Sequence, residues 1–548
     1  MTVDHSASRR SIELVLEDKL GHDALRPGQL EAVDAALSGR DTLCVMSTGS
    51  GKSAVYQLAG FLLEGPVVVV SPPIALQQDQ MESVGDGDAA VLNSTLSDGE
   101  RERVLGDAAA GAVKFILLAP EQLANDDVLD GLRKAEVSLV VVDEAHCVSQ
   151  WGHDFRPDYL RLPSAIEALG RPPVLALTAT AAPPVRDEIV TALGMRDPAV
   201  IVRGFDRPNI HLEVVRHEDA GRKHRALIDR VVETAAPERP GIVYCATKRE
   251  AERTAEELVD RGVRAAHYHG GLSPKARAER QTAFVGDGEL DVMVATIAFG
   301  MGIDKPDIRW VFHHDVSESI DSYYQEIGRA GRDGGPAEAV LFYRPQDLGL
   351  RRFFASGRVG HDELEQVATA LLDHPRRTVD PADLAEVLPL SDSKLATGLR
   401  QLEEAGLAEV REDGLVAVDP RVEVDEAVDR AAESEEQREQ FDRSRVDMVR
   451  SYAENEGCRR AFVLGYFGEE FEPPCGACDV CERQAEEGTS TVDAPSDRPF
   501  DVGQRVEHDG WGDGTVTGVS ASQITVVFDT VGYKTLQADL VVERELLR

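Results

Sequence analysis

Short apolar runs alternate with helix-like stretches from Leu25 to about Tyr343, and this alternation restricts the fold more than any other feature of the sequence. Most of the runs lack the period of two that marks a half-buried strand, which predicts strands buried on both faces of a parallel sheet. Strands that alternate with helices predict α/β layers with right-handed crossovers. The runs are Thr42–Met46, Val67–Ser71, Phe115–Ala119, Leu139–Val142, Val174–Thr178, Gly241–Cys245, Val292–Thr296 and Trp310–His313.

The runs fall into two sets that separate near Arg203–Arg207, which predicts two sheets in two lobes. We therefore expect one α/β lobe over residues 1–205 and a second over residues 206–350. At 548 residues the chain is long enough for further domains, and the strand-like runs stop after Asp347.

Residues 361–420 have the pattern of a winged helix. Asp383–Leu388 and Asp392–Ala405 read as two helices, and a short hairpin with Asp413-Gly414 as its turn follows them. Beyond this segment we expect three further units. They are a helical, cysteine-containing domain over 423–483, a linker over 484–499 and a small β-barrel over 500–548.

The charge balance is strongly acidic, with 59 basic and 98 acidic side chains and a formal net charge of −39. Such a charge argues against a nucleic-acid partner only weakly, because affinity depends on the charge that lines a groove. The composition fits either a GC-rich genome or a salt-rich cytoplasm. No apolar run approaches the roughly 18 residues of a membrane span, and Met1–Gly21 lacks a hydrophobic signal segment. We expect a soluble cytoplasmic protein.

A phosphate-binding loop follows the first apolar run. Its glycines allow backbone N–H groups to surround a phosphate at the start of a helix. In this pattern Lys52 reaches the β- and γ-phosphates and the hydroxyl of Ser53 binds Mg²⁺. The loop residues are Ser47, Thr48, Gly49, Ser50, Gly51, Lys52 and Ser53.

Two carboxylates, Asp143 and Glu144, end another buried run. The carboxyl ends of parallel strands meet at the ligand crevice, so Asp143 is placed to hold Mg²⁺ and Glu144 to polarise the attacking water. Together with the loop at Lys52 they predict ATP hydrolysis.

Two arginines in the second lobe, Arg329 and Arg332, lie one helical turn apart within Gln325–Gly334. If the lobes close on ATP, these guanidinium groups neutralise charge on the transferring phosphoryl, a role worth about 10³–10⁵ in rate. The sequence thus predicts a site assembled from two lobes.

Read in order, these motifs resemble the RecQ branch of superfamily 2 DNA helicases, which have two RecA-like lobes. Arg26-Pro27-Gly28-Gln29 resembles the adenine-reading motif, and the segment from Ala295-Thr296 to Asp304 resembles motif V. The resemblance implies that ATP and Mg²⁺ are bound by one set of residues. The set is His22, Arg26, Gln29, Thr48, Gly49, Ser50, Gly51, Lys52, Ser53, Asp143, Asp304 and Gln325.

The stretch directly after the carboxylates, Cys147–Pro157, is similar to the aromatic-rich loop that couples single-stranded DNA to ATP hydrolysis in this family. Trp151 and Phe155 offer stacking faces worth about 1–3 kcal/mol per base. The resemblance implies DNA coupling by His146, Ser149, Gln150, Trp151, His153, Phe155 and Arg156, together with Thr178 and Thr180 of motif III.

Four cysteines have the spacing of a tetrahedral Zn²⁺ site, with sixteen residues between the first two and two residues in each later gap. They are Cys458, Cys475, Cys478 and Cys481. The flanking Cys458-Arg459-Arg460 also resembles the RecQ zinc domain, and four thiolates indicate a structural metal.

Two features depart from the family pattern. The winged-helix-like segment precedes the cysteines instead of following them, and residues 501–547 resemble the Tudor-like barrel that ends UvrD-type helicases. That barrel implies a protein partner, such as RNA polymerase or a repair factor, and a capping role without a partner is the alternative.

The resemblance implies a 3′→5′ DNA helicase that acts on single-stranded and forked DNA at the nucleoid, in repair or recombination. Two alternatives stay open. One is an RNA helicase or remodeller, and the other is a DNA-bound recruitment factor for which ATP is a conformational switch.

Overall fold

The computed structural model describes two α/β lobes, a mixed helical and β-sheet unit, a helical cysteine region and a C-terminal sheet. The described residues are 5–21, 23–71, 81, 84, 87–93, 96–149, 156–236, 239–286, 288–300, 303, 305–355, 359–374, 378–410, 415–419, 421–469, 471–488, 500–501, 503–519 and 523–548.

Lobe 1 is built on a parallel sheet of seven described strands. The strands are β1 Thr42–Met46, β2 Val67–Val70, β3 Ala89–Leu92, β4 Phe115–Leu118, β5 Leu139–Val142, β6 Val174–Thr178 and β7 Ala199–Arg203. They lie in the order β3-β4-β2-β5-β6-β1-β7. Every residue of the five inner strands is buried, which confirms the prediction of a parallel sheet covered on both faces.

Helices cover both faces of this sheet. They are α1 His5–Leu20, α2 Gln29–Leu37, α3 Lys52–Leu62, α4 Asp98–Ala109, α5 Asp126–Lys134, α6 Leu162–Ala168 and α7 Pro183–Ala192. Alternate residues of β5 enter different apolar clusters, Leu139 and Val141 on one face and Val140 and Val142 on the other. This alternation is the packing expected of a strand between two helical layers.

Lobe 2 is a second parallel sheet, with six described strands in the order β10-β11-β9-β12-β13-β8. The strands are β8 Ile210–Arg216, β9 Gly241–Tyr244, β10 Ala265–Tyr268, β11 Val292–Ala295, β12 Trp310–His313 and β13 Ala337–Tyr343. Its helices are α8 Ala220–Thr234, α9 Lys248–Asp260, α10 Pro274–Val285 and α11 Ile320–Ile327.

Five strands of the two lobes are not among the predicted apolar runs. Four of them, β3, β7, β8 and β10, lie at sheet edges, where part of each strand contacts solvent and polar residues are tolerated. The fifth, β13, has seven residues, of which Glu338 is the half-buried exception.

The segment after lobe 2 combines helices with a three-stranded antiparallel sheet in the order β14-β16-β15. Its elements are α12 Leu348–Ala355, α13 His361–Asp373, β14 Thr378–Val379, α14 Pro381–Val387, α15 Asp392–Glu404, β15 Ala408–Val410 and β16 Val416–Val418. The predicted helix pair and hairpin are present, and the predicted turn at Asp413-Gly414 lies outside the described residues.

A 31-residue helix, α16 Val424–Glu454, joins this segment to the cysteine region. Its first half packs into the core of the 359–418 segment, whereas its second half joins the large core of the lobes. Two short helices follow, α17 Arg459–Tyr466 and α18 Asp479–Glu487. The linker predicted over 484–499 therefore begins inside α18, and its residues 489–499 lie outside the described part of the chain.

The C-terminal unit, for which the sequence predicts a small β-barrel, is a four-stranded antiparallel sheet with a short helix. Its elements are β17 Arg505–His508, β18 Gly512–Val519, β19 Gln523–Phe528, β20 Gly532–Gln537 and α19 Ala538–Glu543. The sheet packs on the cysteine region, since the Tyr533 ring stacks on Tyr466 with centroids 4.9 Å apart and the Tyr533 N–H donates to Ser444 Oγ at 3.0 Å.

None of the helices in the described part of the chain combines the length and the apolar character that a membrane crossing requires.

Candidate nucleotide site between the lobes and candidate zinc centre

The phosphate-binding loop lies between β1 and α3, as the sequence predicts. Gly49 and Gly51 have φ angles of +79° and +80°, a backbone conformation that L side chains rarely adopt. Lys52 begins α3, and its Nζ donates to the carbonyls of Met46 at 3.1 Å and Ser47 at 3.3 Å. The lysine thus folds back over its own loop.

Arg26 and Gln29 brace this loop from outside. The Gln29 amide donates to the carbonyls of Ser50 at 3.1 Å and Gly51 at 2.8 Å, and its Oε1 accepts from the Arg26 N–H at 2.7 Å. The Arg26 guanidinium donates to the Gly49 carbonyl. An adenine-reading role for both residues stays a prediction, because in the described residues their polar groups are used to hold the loop.

Asp143 and Glu144 follow β5 and face the same loop. Asp143 is only 8% exposed, and its Oδ1 accepts from the Glu144 N–H at 3.0 Å. Glu144 has a φ of +47°, a strained conformation that turns the chain sharply at the end of the strand. Burial lowers the pKa of Lys52, and the nearby charges of Glu144 and Asp143 act in the opposite direction.

A buried polar chain runs from Glu144 towards lobe 2. His146 Nδ1 lies 3.4 Å from Glu144 Oε2 and 2.9 Å from Thr178 Oγ1. The Thr178 hydroxyl donates to the Thr180 carbonyl at 3.0 Å, and Thr180 Oγ1 accepts from the Gln325 amide of lobe 2 at 3.1 Å. Five predicted residues therefore form one connected path across the cleft.

The two arginines of lobe 2 follow the end of α11 instead of sharing a helical face, and Arg332 lies beside lobe 1. A Cβ placed on Gly49 would lie 3.5 Å from Arg332 Cγ, and Arg332 Nη1 donates to the Ile303 carbonyl at 2.8 Å. The Arg329 guanidinium interacts with the hydroxyl of Tyr244 on β9; burial raises the pKa of Tyr244 to about 12, and the charge of Arg329 opposes that rise. Arg332 therefore meets the phosphate-binding loop, whereas Arg329 contacts Tyr244 of its own lobe, and the role of both arginines in hydrolysis stays a prediction.

Arg207, in the segment between the lobes, was missed by the sequence reasoning. Its guanidinium donates to the carbonyls of Thr48 at 3.4 Å, Gly328 at 3.0 Å and Ala330 at 2.7 Å. One side chain therefore ties the phosphate-binding loop to the arginine motif. The sequence does contain a signal for Arg207. It directly precedes Pro208, which restricts its backbone, at the point where the two sets of strands separate.

The residues predicted to couple DNA are only partly described. Ser149 is buried and its hydroxyl donates to Glu188 on α7, while the Arg156 N–H donates to the Cys147 carbonyl at 2.9 Å. Four residues predicted to couple DNA lie outside the described residues, as do two residues predicted to bind the nucleotide. They are Gln150, Trp151, His153 and Phe155, and from the nucleotide set His22 and Asp304.

The described donors fit a nucleotide with Mg²⁺. The loop presents the N-terminal end of α3, where Ser53 is the second residue, and the hydroxyl of Ser50 is buried with no hydrogen-bond partner in the described part of the chain. An orphaned hydroxyl beside a cationic lysine and two carboxylates suits a phosphate and its metal.

The four cysteines converge, with their sulfur atoms within 4.8 Å of one another. Cys475 Sγ and Cys481 Sγ are 3.9 Å apart, close to the edge of a tetrahedron with Zn–S bonds of about 2.3 Å. Backbone N–H groups of Ala461 and Ala477 point at Cys458 and Cys475, at 3.5 Å and 3.4 Å. The donor set fits Zn²⁺ and confirms the predicted zinc site.

The zinc region contacts both lobes. Arg460 donates to the carbonyls of Arg207 and Ile210, both at 3.2 Å, at the start of lobe 2. The Glu469 carboxylate accepts from the Phe205 N–H at 3.0 Å, and the rings of Phe467 and Phe205 stack 4.4 Å apart. The zinc site therefore supports the segment that carries Arg207.

Three protein families match the chain. The DEAD/DEAH box helicase family matches residues 26–189, the helicase conserved C-terminal domain matches residues 222–334 and the RecQ zinc-binding family matches residues 421–482. The first two matches fall on lobes 1 and 2, and the third includes all four cysteines.

Among similar proteins, the probable ATP-dependent DNA helicase RecS of Bacillus subtilis is 35% identical over 86% of this chain and 91% of its own length. The ATP-dependent DNA helicase RecQ of Pasteurella multocida is 34% identical over 90% of this chain, and that of Bacillus subtilis is 43% identical over 62%. The chain spans 66% and 57% of the lengths of these two RecQ proteins.

The solved structure of the DUF1998 helicase MrfA bound to DNA is similar to this chain, with a TM-score of 0.52 at 18% identity. The similarity covers 76% of this chain and 59% of that one, and it concerns the fold alone.

Proposed function

The chain belongs to the RecQ family of superfamily 2 helicases, and on that premise we propose that it is an ATP-dependent DNA helicase that moves 3′→5′ along single-stranded DNA. The observation that carries the proposal is the cleft itself. Arg332 and Gln325 of lobe 2 contact the phosphate-binding loop and Thr180 of lobe 1, so one bound nucleotide touches both lobes.

The residues of lobe 1 bind ATP and activate water. Lys52 exchanges its two carbonyl partners for the β- and γ-phosphates. Asp143 and Ser53 would hold Mg²⁺, which would neutralise phosphate charge. Glu144 accepts a proton from the attacking water. His146, 3.4 Å from Glu144, positions that carboxylate.

The residues of lobe 2 respond to the γ-phosphate. Arg329 and Arg332 stabilise the charge that develops on it, and this interaction ends when phosphate leaves. Closing and reopening of the lobes therefore follows the state of the nucleotide. Gln325 passes the same change to Thr180 and, through Thr178, to His146.

DNA reaches the site through the loop after Glu144. Ser149 and Arg156 lie at the two described ends of this loop, and Trp151 and Phe155 between them supply stacking faces to the strand. Ser149, which bonds Glu188 on α7, connects this loop to His146 and Glu144. Strand binding would therefore act on Glu144 through this end of the loop.

The accessory units extend this activity. In our proposal the 359–418 segment is a winged helix that touches duplex DNA at a fork, and the C-terminal sheet is a Tudor-like unit that docks a protein partner. Repair or recombination at the nucleoid is the setting. The order of helix, strand, two helices and hairpin supports the first assignment.

The decisive experiment compares ATP hydrolysis and strand separation on single-stranded DNA, forked DNA and RNA of one sequence. We expect stimulation by single-stranded DNA and separation of the fork, with RNA far weaker. Equal stimulation by RNA would favour an RNA remodeller, and hydrolysis without strand separation would favour a recruitment switch.

The loop assignment has its own test. Trp151→Ala with Phe155→Ala should abolish stimulation by DNA and preserve ATP binding, measured with a fluorescent nucleotide. Phe61→Ala, which changes an aromatic of α3, is the matched control. Normal stimulation in the loop variant would contradict the assignment.

A further inference from the structure

A second cluster of metal-binding side chains lies in lobe 2, remote in sequence from the four cysteines. His224 is on α8, His314 follows β12 directly and Glu250 is in the first turn of α9. His224 and His314 are each 7% exposed, and the side chain of Glu250 is 23% exposed. The cluster is therefore nearly enclosed, with one side open to solvent at the carboxylate.

The three ligand atoms form an almost equilateral triangle. His224 Nδ1 lies 3.3 Å from His314 Nε2, and Glu250 Oε1 lies 3.5 Å from the first and 3.4 Å from the second. Four-coordinate zinc with bonds of about 2.0–2.1 Å places neighbouring ligands about 3.3–3.4 Å apart. Octahedral ligands at that bond length would be closer together, at about 3.0 Å.

The opposite nitrogen of each ring faces a carboxylate. His224 Nε2 lies 2.8 Å from Glu257 Oε2, and His314 Nδ1 lies 3.0 Å from Asp315 Oδ2. The hydrogen bond to Glu257 places the His224 proton on Nε2, as in metal-bound histidines, whereas the buried His314 Nδ1 has no hydrogen-bond partner in the described part of the chain.

When both rings carry their protons on the outer nitrogens, as metal binding requires, the inner atoms are three acceptors that face one another. Two imidazole lone pairs and a carboxylate oxygen within 3.5 Å repel unless a cation or a proton lies between them. The nearest described donor is Arg253, whose guanidinium donates to Glu250 Oε1 at 2.6 Å. Arg253 is 56% exposed and three residues from Glu250, so this pair is weak and easily displaced.

The charges around the cluster favour a divalent cation. Four carboxylates lie in or beside it, Glu250, Glu257, Asp315 and Asp347, with three cations, Lys223, Arg253 and Arg344, the last paired with Asp347. Of the cations, Lys223 is already paired with Asp315 at 3.1 Å and Asp347 at 2.6 Å, and Arg253 is paired with Glu250.

A neighbouring histidine cluster shows what a satisfied arrangement looks like. His269 Nδ1 accepts from the Gly271 N–H at 3.2 Å, and its Nε2 lies 3.0 Å from Glu252 Oε1. Both ring nitrogens are used, so no lone pair is left to face His267. The His224 cluster differs because a nitrogen of each ring faces the other ring, at 3.3 Å, and His314 Nδ1 has no hydrogen-bond partner in the described part of the chain.

We propose that lobe 2 binds one Zn²⁺ ion through His224 Nδ1, His314 Nε2 and Glu250, with water as the fourth ligand. The ion joins α8 and α9 to the end of β12. The preceding residue of β12, His313, bonds Glu326 on α11 at 2.8 Å, and α11 also carries Gln325. The proposed site thus anchors the strand that supports the arginine motif.

The test counts metal in the full chain. Wild-type protein is equilibrated with buffered micromolar Zn²⁺ at neutral pH, and zinc per chain is measured by mass spectrometry. We expect two ions per chain, one at the cysteines and one at His224. A single ion in the wild type would mean that the cluster holds a proton instead and would overturn the proposal, whatever the variants do.

Variants assign the second ion. Glu250→Gln removes the charged ligand at a partly exposed position. It should lower the Zn²⁺ affinity of the second site by at least about 100-fold, because loss of a hydrogen-bond partner of a metal ligand alone costs about 10–100-fold. Glu257→Gln changes the hydrogen-bond partner of His224 Nε2 and should lower the Zn²⁺ affinity by about 10–100-fold. Glu256→Gln, an exposed neighbour on α9, is the control and should bind like the wild type.

Cobalt distinguishes the two sites by their spectra. Co²⁺ at the cysteines gives intense sulfur charge-transfer absorption, whereas nitrogen and oxygen ligands give only weak visible bands. We expect Glu250→Gln to lose the weak component alone. An unchanged spectrum and an unchanged second affinity in Glu250→Gln would contradict the assignment to these residues.

Discussion

Lobe 1 and lobe 2 contribute to the cleft in different ways. The groups of lobe 1 are held by their own lobe, as Lys52 is by the Met46 and Ser47 carbonyls and Glu144 by its bond to Asp143. Lobe 2 reaches across, through Gln325 to Thr180 and through Arg332 beside the loop. The groups of lobe 1 are thus held by contacts within lobe 1, whereas Gln325 and Arg332 of lobe 2 contact the other lobe.

This difference separates chemistry from coupling. Changes in lobe 1 should affect hydrolysis itself, and changes at the contact should affect how strongly DNA stimulates it. The exception is the pair Arg329 and Arg332. These arginines are part of lobe 2, but changes to them should affect hydrolysis itself.

The largest effect is expected at Arg332. Arg332→Ala should lower the DNA-stimulated kcat by about 10³–10⁵, because the charge on the transferring phosphoryl loses its partner. ATP affinity should change little. Arg225→Ala, an exposed arginine on α8, is the control, and a loss below tenfold in single-turnover hydrolysis would remove Arg332 from this role.

Glu144→Gln should lower kcat by about 10²–10⁴ with or without DNA, since the amide cannot accept the proton from water. Nucleotide binding should persist, as a fluorescent ATP analogue would report. Glu102→Gln, exposed on α4, is the matched change in lobe 1. Retained turnover in Glu144→Gln would contradict its assignment as the base.

Arg207→Gln tests the tie between the lobes. Loss of the charged donor leaves carbonyls of Thr48 and Gly328 unpaired, at a cost of about 1.5–3 kcal/mol. DNA-stimulated kcat should fall by roughly 10- to 100-fold while hydrolysis without DNA changes less. Arg203→Gln, with an exposed side chain in the same segment, should be near wild type; an equal fall in both variants would argue for a general disturbance of the segment.

The smallest effect is expected from Gln325→Leu, which removes one hydrogen bond across the cleft, worth about 0.5–1.5 kcal/mol. The stimulated rate should fall about 2- to 10-fold. Thr180→Val removes the partner hydroxyl, and the double variant should be no worse than either single one. Additive losses would show that the two side chains act separately.

How much of the site could be read from the sequence depends on how far apart its parts lie along the chain. The loop at Lys52, the pair Asp143 and Glu144 and the three closely spaced cysteines are contiguous patterns, and the structure brings each together as expected. The role of Gln29 in bracing the loop was not foreseen, because its partners are 21 and 22 residues away.

The strands followed the same rule. Apart from β13, the inner strands, buried on both faces, carry continuous apolar runs and were predicted within a residue or two. Edge strands such as β7 and β10 were missed, since partial exposure lets them use the same residues as loops.

By itself the sequence determined the two parallel-sheet lobes, the nucleotide loop and the zinc ligands, because burial pattern and short spacing act through neighbours in the chain. Only the tertiary structure decided that Arg207 joins the lobes and that His224 and His314, 90 residues apart, share one space with Glu250. Such contacts depend on how sheets and helices pack. Residues that meet in this way are far apart in the chain, so they produce no local pattern in the sequence.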